Sequence, residues 1–230
     1  MMSSKLNKAI GFIYKLKMGQ SLLLIQTESC LLGSKDMIRL EEQNNNTPEY
    51  YNKSSVTHFV EKGLVDDKDQ WRIKWLLKDF KGGKLLDLGC GVSSLQLIAA
   101  QVKDSEIHAL DFADLYVSII SNIVENMSLH SVKFVSSRVE KTPYEDKYFD
   151  YIVMGELLEH CEDPYEVIKE AKRILKDDGL IAISTPNNET VEKHKEKNHI
   201  WGINEEDIRK MVDVKQLDIV GDCILCIGRK

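Results

Sequence analysis

No stretch of this chain approaches the ~20 consecutive apolar residues that a membrane-crossing helix needs. The longest early apolar run is Leu22-Leu23-Leu24-Ile25, and Lys15 and Lys17 interrupt what would otherwise be the core of a signal peptide. A cytoplasmic setting is the expectation. An excess of basic residues is also missing. The net charge of −6 argues against a protein that lives on nucleic acid, where binding leans on clustered Lys and Arg. A disulfide framework is missing too, because the five cysteines are odd in number and irregular in spacing. Cys223-Ile224-Leu225-Cys226 has the CxxC spacing but lies in an apolar, strand-like run. Residues three apart in a strand point to opposite faces, so these read as plain buried thiols in a reducing compartment. There is no Gly-Lys-Ser/Thr phosphate loop and no internal repeat.

What is present is an ordinary globular balance, 43% hydrophobic and 30% charged over 230 residues. That suits one α/β domain with an appended segment. Residues 1–49 read as an N-terminal extension or lid, and residues 50–230 as the main domain. In the extension, Ile10, Phe12, Ile13, Tyr14, Leu16 and Met18 alternate with lysines. They read as an amphipathic helix that packs on the domain or covers its site. Glu41 to Pro48 is polar and turn-rich and reads as a linker or mobile loop. Trp71 to Leu77 has helical spacing, and Lys81-Gly82-Gly83 ends it. Strands are then expected at Leu85–Leu88, Ile107–Asp111, Val132–Val135, Tyr151–Met154 and Leu180–Ser184, with helices between most of them. The clearest helix starts at Asp163-Pro164, an N-cap with proline in the first helical position. Val167, Ile168, Ala171, Ile174 and Leu175 form its apolar stripe, and Gly179 is expected as its C-cap. Two tail strands are expected around Gly221-Asp222. Repeated βα units imply a parallel sheet with helices on both faces.

The most informative stretch is Leu85-Leu86-Asp87-Leu88-Gly89-Cys90-Gly91. It reads as a buried strand, a Gly-x-Gly turn and then a helix, the corner where a nucleotide-like ligand approaches backbone closely. The third glycine of a dinucleotide fingerprint is replaced by Ser94. Asp111 ends the second strand 20 residues after Gly91, where an acid can accept both ribose hydroxyls of an adenosine.

With these residues the chain resembles the class I S-adenosylmethionine-dependent methyltransferases. The resemblance runs from about Trp71 to the C-terminus and rests on five elements in order. They are the Asp87-x-Gly89-x-Gly91 turn, Asp111, the run Lys141 to Asp150, the block Glu156 to Pro164, and Ile174 to Leu180. It implies a Rossmann-like, seven-stranded, mostly parallel sheet with an antiparallel last strand, and S-adenosylmethionine as cofactor. Gly89, Cys90 and Gly91 would line its methionine part, while Asp87 would hold the turn and help bind the amino group. Asp111 would take the ribose, with Phe112 against the adenine and the backbone at Val139 along its edge. Met154 and Gly155 would close the site under the methionine moiety, and Arg72 would meet its carboxylate. Arg138 stands where the family often has an acid.

Methyl transfer is an in-line displacement that depends on alignment, and a hydroxyl or amine acceptor must also lose a proton. His160, oriented by Glu159 or Glu156, is the candidate base, with packing at the end of the fourth strand as its bland alternative. If this stretch is helical, Glu156, Glu159 and His160 share a face. They could then hold a divalent ion, as the same Glu-x-x-Glu-His pattern does in small-RNA 3′-terminal 2′-O-methyltransferases, with His199 as the later histidine. A similar pattern occurs in the ubiquinone-pathway O-methyltransferases. The reading adopted has no metal. Tyr50, Tyr51, His58, His194, His199 and Trp201 are candidates for the pocket rim. The expected function is O-methylation of a small-molecule acceptor, with nucleic acid disfavoured. The alternatives are a metal-dependent RNA 2′-O-methyltransferase and a cofactor-binding protein without catalysis.

Overall fold

The computed structural model describes residues 37–41, 46–53, 70–126, 131–187 and 198–230. The chain divides into two compact units, Met1–Asp36 and Met37–Lys230, and every described residue belongs to the second. The amphipathic pattern from Ile10 to Met18, Cys30, His58 and His194 therefore lie outside the described residues. The described part of the expected extension is built into the domain. β1 (Ile38–Arg39) pairs antiparallel with the later β7 (Trp201–Gly202), and residues 48–53 are helical.

The main sheet contains β2 (Gly83–Leu88), β3 (Ser105–Asp111), β4 (Val132–Ser136), β5 (Phe149–Gly155), β6 (Leu175–Pro186), β8 (Asp213–Val220) and β9 (Cys223–Arg229). Its order is β4-β3-β2-β5-β6-β9-β8, parallel except that β9 runs antiparallel to both β6 and β8. Besides the helical residues 48–53, five helices accompany it among the described residues: α1 (Gln70–Leu76), α2 (Leu95–Ala99), α3 (Asp114–Asn126), α4 (Pro164–Ile174) and α5 (Glu205–Met211).

Successive strand residues point to opposite faces, and the core follows that alternation. Leu85, Tyr151, Val153 and Ala182 pack with Ile73 and Leu76 of α1, Leu95 of α2, and Ile120 and Val124 of α3. Leu86, Leu88, Ile152, Met154, Ile181 and Ile183 pack on the other face with Val167, Ile168, Ala171 and Ile174 of α4 and Ile208 of α5. Two apolar layers thus sandwich one sheet, as near-continuous apolar strands require. Strand order reverses at β2, which lies between β3 and β5. The carboxyl ends of these strands form the crevice where open α/β sheets hold ligands.

α4 begins as its sequence implies. The Asp163 side chain accepts hydrogen bonds from the N–H groups of Tyr165 (2.9 Å) and Glu166 (3.3 Å). Its end differs from expectation. The helix stops at Ile174, and Leu175 is already extended at φ −79° and ψ 138°. Gly179 is not a C-cap but part of β6, in an irregular stretch where pairing jumps from Phe149–Leu175 to Tyr151–Leu180. A Cβ there would lie 2.6 Å from Leu175 Cδ1 and 3.0 Å from Asp150 O. Close approach, rather than left-handed backbone, accounts for this glycine. Among the described residues no helix is long and apolar enough to cross a membrane.

Asp163→Ala should lower stability by about 1 kcal/mol through loss of the cap. In urea unfolding this appears as a lower midpoint with an unchanged slope.

Candidate active site

A cavity of ≈ 320 Å³ opens at the carboxyl ends of β2, β3 and β5, at the lower end of the size range of small-molecule sites. The turn after β2 forms its floor. Gly89 and Gly91 have φ of 74° and 48°, values that glycine adopts at least cost. A Cβ on Gly89 would meet the Leu157 side chain at 2.6 Å, whereas one on Gly91 would meet nothing within 4 Å. The N–H groups of Gly89 and Cys90 both donate to Leu110 O, at 2.8 and 2.9 Å. The Gly91 N–H donates to Asp111 Oδ2 at 3.0 Å, and Ala113 N–H donates to Asp111 Oδ1 at 2.8 Å. The acid that bonds the turn is therefore Asp111 and not the expected Asp87. Asp87 instead accepts a 2.5 Å hydrogen bond from Gln96 Nε2 of α2. Burial pushes the Asp87 carboxyl up to about 7 and raises Asp111 and the Cys90 thiol as well.

The opposite wall comes from the chain after β5. Glu156 has φ 52°, a left-handed backbone that costs a non-glycine residue about 1–3 kcal/mol. The kink turns its carboxylate to Arg72 Nη1 of α1, at 3.2 Å. A 3₁₀ turn then covers Leu158–His160. This backbone is not one α-helix, so Glu156 does not share a face with Glu159 and His160 as the spacing suggested. His199 takes that place. One ligand atom from each of Glu159, His160 and His199 lies within 4.8 Å of the others, and the two imidazole rings are 4.8 Å apart. Glu159 is buried and accepts from Thr185 Oγ1 at 3.0 Å.

His160 is oriented by a backbone carbonyl rather than by either glutamate. Its Nδ1 lies 2.9 Å from Asn198 O. A carbonyl can only accept, so Nδ1 carries the proton and Nε2 is the basic nitrogen. Nε2 is 4.0 Å from Glu159 Oε1. Burial lowers the His160 pKa to about 4, so the ring is neutral around pH 7.

The cavity lining includes Arg72, Asp87, Gly89, Cys90, Gly91, Asp111, Phe112, Val139, Gly155 and His160. Met154 is the exception. It is fully buried in the core layer with Leu86, Leu88 and α4, because strand alternation points it away from the cavity. Arg138 does line the cavity and pairs with Glu140 at 3.2 Å. Tyr51 lines it as well, with its ring 5.6 Å from Phe112 and 6.2 Å from His160, while Tyr50 is exposed. Trp201 is no rim residue. It lies under the Arg39 guanidinium and donates to Cys161 O at 2.9 Å. Asn46 went unnoticed in the sequence. It lies in a polar run with no periodicity, and only the folded chain brings it to the cavity.

Residues 79–218 match the family described as "Methyltransferase domain". The chain belongs to that family. The methyltransferase is 31% identical over 115 residues to the demethylmenaquinone methyltransferase of Bacillus mycoides (strain KBAB4), a match covering 48% of each chain. It is 28% identical over 144 residues to the protein of the same name from Listeria welshimeri, covering 59% of this chain and 57% of that one. It thus spans about half the length of these curated relatives. The crystal structure of a SAM-dependent methyltransferase from Aquifex aeolicus superposes with a TM-score of 0.59 at 20% identity, over 79% of this chain and 97% of that one. At that identity the likeness shows the fold. The family and this fold imply S-adenosylmethionine as the cofactor. The cavity fits that molecule. The space over Gly91 that a Cβ would not fill admits a ligand close to backbone, carboxyl groups stand at Asp87 and Asp111, and Phe112 and Tyr51 offer flat apolar surface.

The position of Asp87 has a measurable cost. Its folded-state pKa, about 7, lies above the unfolded value of about 4. The folded state therefore holds the extra proton, and this group removes stability as pH rises through that window. In the cofactor-free protein, Asp87→Asn should gain stability relative to wild type between pH 4 and 7, by at most about 1.4 kcal/mol per pH unit. The difference should level off above pH 7. Urea unfolding across this range measures it.

Proposed function

We propose that the methyltransferase transfers a methyl group in line to an oxygen of a small-molecule acceptor, with His160 as the general base. The observation that carries this reading is the Nδ1–H bond of His160 to the Asn198 carbonyl, which leaves Nε2 as the basic atom of a ring on the cavity wall. S-adenosylmethionine supplies the methyl group as an electrophilic sulfonium. Asp111 and the glycine turn would hold the nucleoside and methionine ends, Arg72, which pairs with Glu156, would also meet the carboxylate, and Tyr51 with Phe112 would shield the centre from water. His160 takes the acceptor's proton at Nε2. Its low basicity is no obstacle, because a hydroxyl becomes strongly acidic as its oxygen forms the new bond to carbon. The imidazolium so formed faces Glu159. A small acceptor is supported by the relatives, which are named for demethylmenaquinone. The aromatic wall of Tyr51, Phe112 and Tyr116 suits an acceptor with a flat apolar body.

A second reading has a specific observation in its favour. Glu159, His160 and His199 form a two-histidine, one-carboxylate set of the type that holds zinc and related divalent ions. An ion there would polarise the acceptor oxygen in place of base catalysis. That is the chemistry of the alternative with an RNA 3′ end as acceptor, which the net charge of −6 disfavours.

Calorimetry should show S-adenosylmethionine binding, and absence of binding would remove both readings. Release of S-adenosylhomocysteine with phenolic and enolic acceptors then measures turnover. His160→Ala should cut kcat by about 10²–10⁴-fold with cofactor affinity unchanged. Activity that persists after exhaustive chelation selects the base. Activity lost on chelation and restored by a divalent ion selects the metal.

A further inference from the structure

Three segments remote in sequence meet on one side of the cavity, and Asn46 joins them. Its Nδ2 donates to two backbone carbonyls, Asn198 O at 2.8 Å and His160 O at 2.9 Å. Asn198 O is the same atom that receives the His160 Nδ1–H, so both of its lone pairs are in use. On its other side, Asn46 Oδ1 accepts from Tyr51 OH at 2.9 Å, and Asn198 Nδ2 donates to that hydroxyl at 3.4 Å. The Tyr51 ring stands edge-on to His160. Without the Asn46 amide, the carbonyls of residues 160 and 198 would lose the donor they share. The acceptor of the His160 Nδ1–H would then be free to move.

We propose that Asn46 is a positioning residue for His160. By clamping the two carbonyls it holds the imidazole as the Nδ1–H tautomer, with Nε2 turned to the cavity. This rests on His160 being the functional imidazole of the site. A purely structural role, strapping segment 46–53 to the domain, makes a different prediction. Asn52 straps the same segment from its far end: its Nδ2 donates to Asp114 Oδ1 at 2.7 Å, and its Oδ1 accepts from Leu115 N–H at 3.0 Å. Both of these bonds go to the start of α3, so Asn52 serves as the control.

The test uses the full chain with ¹⁵N-labelled histidine, and His160 is assigned by the signals lost in His160→Ala. The wild type should show one protonated-type nitrogen at Nδ1 and one pyridine-type nitrogen at Nε2. Asn46→Asp keeps the shape but loses the donor, and Asn46→Ala loses both. Each should move the two shifts toward each other as the tautomers mix, with S-adenosylmethionine affinity by calorimetry unchanged. Asn52→Ala should leave the wild-type pattern intact. An unchanged His160 pattern in both Asn46 variants overturns the proposal, and so does the same change in Asn52→Ala. In the turnover assay Asn46→Asp should lower kcat by about 10- to 100-fold and have no further effect in a His160→Ala background. An additive loss overturns it. The tautomer readout needs no turnover, so a failure of base catalysis at His160 remains distinguishable from a failure of this proposal.

Discussion

The Asp111 carboxylate bonds two backbone N–H groups at once, Gly91 ahead of it in the chain and Ala113 behind. It thereby ties the end of β3 to the turn that leaves β2. With Leu110 O taking the N–H groups of Gly89 and Cys90, every donor of that turn is directed at β3. The turn runs through left-handed backbone at both glycines and would not hold that path on local preference alone. Everything downstream depends on it. The position of α2, the bond from Gln96 to Asp87 and the open space over Gly91 all follow from where the turn is pinned.

The sheet was legible because its signals are local and repeated. Strand alternation at Leu85 to Leu88 and Tyr151 to Met154 sorts residues between two helix layers, and Asp163-Pro164 marks a helix start with its own chemistry. Most of the cofactor side was legible for the same reason, since Gly89, Gly91 and Asp111 lie at strand ends set by those patterns. Met154 shows the limit. It was assigned by its place in a motif, whereas its alternation with Val153 and Gly155 sends it into the core. Gly179 was read for its backbone freedom, when what matters is the space taken by Leu175 and Asp150 O.

The acceptor side was less legible because it is assembled from contacts between distant segments. The spacing of Glu156, Glu159 and His160 is that of a helix face, but the left-handed Glu156 redirects its carboxylate to Arg72. No local pattern announces that strain. The tautomer of His160 depends on a carbonyl 38 residues away. The cavity also keeps two of its ionisable groups close to neutrality, with Asp87 pushed up and His160 pushed down by the same exclusion of water. Arg72 and Glu156 form an ion pair at its edge.

The Asn46 clamp also bears on the order of assembly. Its two carbonyl bonds span 114 and 152 residues of chain, separations whose closure entropy must be met before the contacts form. The β2–β3 turn, by contrast, closes over 20 residues. The glycine floor can therefore mature early in folding, while the histidine corner forms only once the segment before β2 has met the chain that follows β5 and β6. On mild denaturation the sequence reverses, as the sparsest long-range contacts open first. The protein would pass through a state in which the sheet and cofactor floor persist while the proton-accepting corner has come apart.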